Sequence, residues 1–152
     1  MAYTTAEGRR ELLDSVAAAI EQIGIALANL GAAYEQLDEY SADRLEAELF
    51  GPTQVAYGRA KRTYAQFADR HGLPSRTFGA PSPGVPSTGA KGLIDRAVTA
   101  AAEADSALAT LQDSLLPVEV GDAELRAGIT EVRELLGGLR QRARELERTL
   151  GR

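Results

Sequence analysis

Between Leu13 and Leu37 an apolar side chain recurs every third or fourth residue without a gap: Leu13, Val16, Ile20, Ile23, Leu27, Leu30, Tyr34 and Leu37. That spacing winds into one stripe along one side of an α-helix, whereas a strand alternates its faces with period two. Small residues flank the stripe, with Ala17, Gly24 and Gly31 on one edge and Ala19, Ala26 and Ala33 on the other. Flanks without bulk let neighbouring backbones come close. The helix is therefore predicted to lie centrally among other helices.

The rest of the chain repeats this plan. Thr4 followed by Glu7 has the spacing of a capping box, so the first helix is predicted over about 5–40. Ser41 and Arg44 stand where the stripe needs apolar residues, which places a turn near residue 41. A second helix over 42–71 carries Tyr57, Ala60, Tyr64 and Phe67, with a kink near Pro52, whose ring removes a helical hydrogen bond. A turn at Gly51-Pro52 instead would give one very long helix and one short one. Gly72-Leu73-Pro74 is a Schellman-type stop.

Residues 73–89 are rich in Pro, Gly and Ser and read as a linker. Extended, the segment around it reaches about 60 Å, against about 45 Å for a 30-residue helix, long enough to run the length of such a helix. A third helix over 90–116 opens near Ser87 or Thr88 and carries Ile94, Ala97, Ala101, Ala104, Leu108, Leu111 and Leu115. A fourth over 122–150, capped by Asp122, carries Leu125, Ile129, Val132, Leu136, Leu139, Ala143, Leu146 and Leu150, with Gly137-Gly138 beside its stripe. The prediction is an all-α single domain: a four-helix bundle of two antiparallel helical hairpins joined by a long Pro/Gly-rich connection.

Charge alternates along this plan. Residues 1–40 carry seven acids and two bases, 41–72 four and five, 93–121 five and one, and 122–152 six and seven. Sequential antiparallel neighbours would then pair acidic with less acidic helices, a modest effect. The overall net charge of −5 argues against non-specific nucleic-acid binding. No uninterrupted run approaches the roughly 18 apolar residues of a membrane span, and the polar first ten residues have no signal-peptide pattern. A cytoplasmic protein with no membrane and no nucleic-acid partner is expected.

The residues offer little chemistry. With no Cys there are no disulfides, thiolate nucleophiles or thiolate metal sites. The only His, His71, has no implied nucleophile or ligand beside it and sits where a cation meets a helix C-terminus. A ferritin-like di-metal site needs Glu-x-x-His on two helices, and none occurs, so a ferritin-like topology would lack that site. Carboxylates at Glu35/Asp38/Glu39 and Asp43/Glu46 lie among polar neighbours near helix ends, as a solvated surface would. Arg59, Arg62 and Arg70 lie roughly on one side of the second helix, and the Arg side chains of the fourth helix are interleaved with Glu131, Glu134, Glu145 and Glu147, with i,i+3 spacing at Arg142/Glu145 and Glu145/Arg148, as a solvated helix face would be. No catalytic, cofactor-binding or metal residues are assigned and no cofactor is expected.

Two functional expectations remain. The long stripes and an outward Ile25 suggest a non-catalytic protein acting by self-association or through a protein partner. Alternatively Tyr57, Tyr64 and Phe67, facing small residues, line a pocket for an apolar ligand between helices, or simply pack the core.

Overall fold

The structure, a computed structural model, describes residues 4–83 and 89–150. The chain is all-α, with no strand among the described residues. Its helices are α1 (Thr5–Tyr34), α2 (Glu39–Leu45), α3 (Gly51–Arg70), α4 (Gly89–Asp113), α5 (Leu116–Glu119), α6 (Ala123–Leu136) and α7 (Leu139–Leu150), with a π-helical turn over Glu46–Phe50 joining α2 to α3.

Helix α1 starts where the capping box put it. Thr4 accepts from the Glu7 amide at 3.1 Å, and its hydroxyl donates to the Glu7 carboxylate at 2.8 Å. It ends at Tyr34, not near residue 40. The reason is Asp38: extended at ψ 166°, it caps α2 by accepting from the Ser41 amide at 2.8 Å. The polar residues read as the turn belong instead to α2, where Ser41 is buried.

The second rod runs on through Pro52. A proline ring crowds the carbonyl four residues back. Here the Gly51 N–H reaches five residues back to the Glu46 carbonyl, so the preceding turn is widened and the rod continues. The rod ends as its Schellman signature predicts: Gly72 has φ +66°, the Leu73 amide donates to Ala68 at 2.8 Å and the Gly72 amide to Asp69 at 3.4 Å.

In the second half, α4 ends at Asp113. Leu115, predicted on the buried stripe, lies 59% exposed in the left-handed region at φ 69°. The predicted cap at Ser87 or Thr88 falls outside the described residues. The fourth helix is two helices separated at Gly137-Gly138. Neither glycine approaches α4; Gly128 is the close-approach residue, since a Cβ there would collide with the Thr63 side chain of α3.

The most extensive packing is α1 on α4, then α3 on α6, with α1 also against α3, and α4 against α6 and α7. Arg59 meets Glu131 and Arg70 meets Asp122, so α3 and α6 run in opposite directions. The closest pairing therefore joins the two acidic segments and the two mixed ones, against the expected charge alternation. One continuous apolar core results, including Ile20, Ile23, Phe67, Ile94, Ile129 and Leu146.

Helix α1 is long and apolar enough to cross a membrane, with mean hydropathy 1.5 over an 18-residue window. More than half of that window, 56%, is buried inside the fold. Its Ala residues supply hydropathy that a search for bulky apolar runs passes over.

Candidate functional site: the groove between α1 and α3

The α1 stripe does not stay in the core. A strict 3.5-residue repeat drifts about 20° per heptad around a straight helix. By the last turns the buried positions are Ala26, Asn29, Leu30 and Ala33, while Leu27 is half-buried and Tyr34 is 36% exposed. Leu27, Ala28 and Gly31 are left as the floor of a groove facing α3.

The crossover segment fills the lower half of this groove. Phe78 sets its ring edge-on to Tyr64, centroids 5.5 Å apart, and the Arg76 guanidinium covers Phe78 and reaches Glu21 at 3.3 Å. Pro81 lies over Gly24, where a Cβ would sit 3.3 Å from the proline ring. The small-residue flank thus admits this segment. Beyond Pro81 the groove is open: about 460 Å³ between Leu27, Ala28, Gly31, Phe50 and Tyr57. It continues as about 250 Å³ lined by Gly31, Tyr34, Glu35, Glu46 and Phe50. At Gly31 nothing lies within 4 Å of where a Cβ would be.

The three aromatics singled out in the sequence separate. Phe67 is fully buried and Tyr64 is 6% exposed beneath Phe78, so both pack the core. Tyr57 forms a groove wall, with the Lys61 ammonium 4.1 Å above its ring. A gap inside the core, between Leu30, Leu49, Thr53 and Ala97, is only about 10 Å³, roughly the least that holds one water. Gly31, Phe50 and Glu46 were missed by sequence reasoning. Their signal was weak: a small-residue row ending beside a Tyr, and a Pro that widens the helix opposite.

The polar clusters are structural. Arg70 grips Asp122 with two hydrogen bonds of 2.8 and 2.9 Å and reaches Glu124 at 3.0 Å; His71 meets Asp122 at 2.9 Å. Burial alone would raise the Asp122 carboxyl, but Arg70, the Leu125 amide and His71 outweigh it and hold it well below the usual carboxylate range. Arg59 bonds Glu131 at 2.7 Å, and Arg133 bonds Asp105 and Gln112 at 2.8 Å each. Helix-to-helix pairs thus engage Arg59, Arg70 and Arg133, which the sequence suggested as parts of solvated helix faces. The Arg142/Glu145 and Glu145/Arg148 pairs do not form among the described residues; the Arg142 Nε is buried without a partner there. On α7, burial and the neighbouring Asp95 carboxyl push Glu147 up to about 7.

Among the described residues no group of three or more His, Asp or Glu is placed to hold a metal ion. No protein-family model, curated protein or solved structure matches the chain.

Proposed function

We propose that this protein is a non-catalytic four-helix bundle, two antiparallel hairpins joined by a lengthwise crossover, that binds an apolar ligand in the upper α1–α3 groove. The observation that carries the reading is the half-filled groove. The chain's own Phe78 and Pro81 occupy its lower half, while the open half has an apolar floor at Leu27, Ala28 and Gly31. Binding sites of this kind are concave and mostly apolar, with a few polar groups at their margins. The ligand lies against the outer seam of the bundle, not inside it, because the core near Tyr64 and Phe67 is filled. The connectivity is that of a ferritin-like topology used without its di-metal site.

A neutral fluorescent probe such as N-phenyl-1-naphthylamine tests the reading. Saturable enhancement at one site, abolished in Gly31→Leu, is expected. Enhancement that is absent, or unchanged in the variant, would sink it.

Self-association is the second reading, favoured by Leu115 and Val118, 59% and 66% exposed on the connection between α4 and α6. Ile25 lends it less than its sequence position suggested, being half-buried against the core. Light scattering after size exclusion tests it: a dimer dispersed by Leu115→Ser/Val118→Ser supports it, and a strict monomer at high concentration rejects it.

A further inference from the structure

Resting on the groove reading, we infer that the ligand is an amphiphilic organic cation whose head lies between Tyr34, Glu35, Glu46 and Phe50 and whose tail runs over Gly31 toward Tyr57. Charge complementarity carries the assignment. The open end of the groove is lined by two carboxylates, Glu35 and Glu46, and neither has a hydrogen bond or ion pair among the described residues. The groove end also lies at the C-terminus of a 30-residue helix with no basic residue in its last turn. The partial negative charge of a helix C-terminus favours a cation there. Arg44 on α2 does not neutralise the site, since it pairs with Glu48 at 3.2 Å.

The walls fit the same occupant. Tyr34 and Phe50 line the same end as the carboxylates, and an alkylammonium group gains from aromatic ring quadrupoles when partly desolvated. Glu46 and Phe50 open and close the π-helical turn, so the widening ahead of Pro52 is built into this wall. At the other end the Lys61 ammonium stands over Tyr57 and repels a second cation. That polarity orients the ligand: cationic head at Glu35 and Glu46, apolar tail at Tyr57 and Pro81. From Leu27 to Glu35 the open groove follows α1 for about 12 Å, room for one alkyl chain.

The test titrates the full chain, ¹⁵N-labelled, with decyltrimethylammonium, 1-decanol and decanoate, each below its micellar concentration, following amide shifts. The cation is expected to bind at least ten-fold tighter than the alcohol, with the largest shifts at residues 27–35 and 46–50. Raising salt should shrink the preference. Glu35→Gln/Glu46→Gln changes two exposed side chains and should bring the cation down to the alcohol's affinity. Gly31→Leu should remove binding of all three while far-UV circular dichroism stays helical. Equal affinities, or tighter binding of decanoate, would overturn the cation assignment and leave the apolar groove standing. No saturable shifts with any probe, or shifts unaffected by both variants, would overturn the groove as well.

Discussion

Helix α1 lies on α4 and α3 lies on α6, yet the two contacts are held by different forces. The first joins the most acidic segments of the chain, and no ion pair links them among the described residues. It rests on side chains such as Ala97, Ala101 and Ala104, all at most 3% exposed, against a helix flanked by Ala and Gly. The second contact is bolted by Arg59–Glu131 and Arg70–Asp122, and by the seat that Gly128 makes for Thr63. The lesson concerns magnitude. Exposed like charges cost at most about 1 kcal/mol, whereas each fully buried Val, Leu or Ile side chain contributes about 1.5–3 kcal/mol, and each buried Ala methyl about 0.8 kcal/mol. Close packing of small faces therefore chooses the partners, and charge decorates the result.

The comparison breaks most visibly at Leu30. It is 2% exposed and borders a small gap shared with Ala97 of α4. Leu30→Ala enlarges that gap and is expected to lose about 2–5 kcal/mol. Urea unfolding monitored by circular dichroism measures it. A loss below 1 kcal/mol would mean that α1 and α4 are not held by packing.

On the other contact, Gly128→Ala drives a methyl into Thr63. Overpacking costs about 1–3 kcal/mol, offset by about 1 kcal/mol of helix propensity, so a net loss of up to about 2 kcal/mol is expected. Thr63→Ala in the same chain should recover most of it. A double-mutant cycle showing additivity would place the two residues out of contact.

Asp122→Ala removes the α6 cap and the Arg70 clamp together. A cap is worth about 1 kcal/mol, and the partly exposed ion pair adds little, so a loss of about 1–2 kcal/mol at pH 7 is expected. Because the folded Asp122 carboxyl lies below its ordinary value, its contribution is present above about pH 4 and is lost as pH falls toward the folded value. The variant should therefore show a shallower acid limb. Parallel stability–pH curves would exclude Asp122 as the group responsible.

The helices were legible because their evidence is local: stripes at helical spacing, the Thr4 and Asp122 caps, and the stop at Gly72. What was not legible depends on partners. Nothing in the sequence distinguishes Gly128, seated on Thr63, from Gly137 and Gly138, which approach no other helix. Charge by segment suggested neighbours, but it reports solvent-facing side chains, which decide little. The groove escaped for a similar reason. The heptad stripe was read as uniformly inward, while drift around a straight helix turned Leu27 and Tyr34 out of the core. Tyr57, Tyr64 and Phe67 share a face in sequence, and only the crossover segment, by covering Tyr64 with Phe78, separates wall from core.

The smallest expected effect tests whether charge is mere decoration on the apolar side as well. Glu147 of α7 faces Asp95 of α4, with Lys91 of α4 as the nearby cation, and one carboxylate oxygen of Glu147 is buried without a partner among the described residues. Burial and Asp95 raise Glu147 to about 7, above the ordinary glutamate value of about 4.3. The folded state thus holds a proton that the unfolded chain has released. Stability linked to it is full below about pH 4.3 and declines as pH rises through about 7. Glu147→Gln keeps the shape and removes the ionisation. It is expected to raise Tm by a few degrees at pH 8, at about 2–4 °C per kcal/mol for a chain of this size, and to leave it unchanged at pH 4. A gain that is equal at both pH values would assign the effect to packing, and no gain at pH 8 would show that Lys91 and solvent already satisfy the ionised pair.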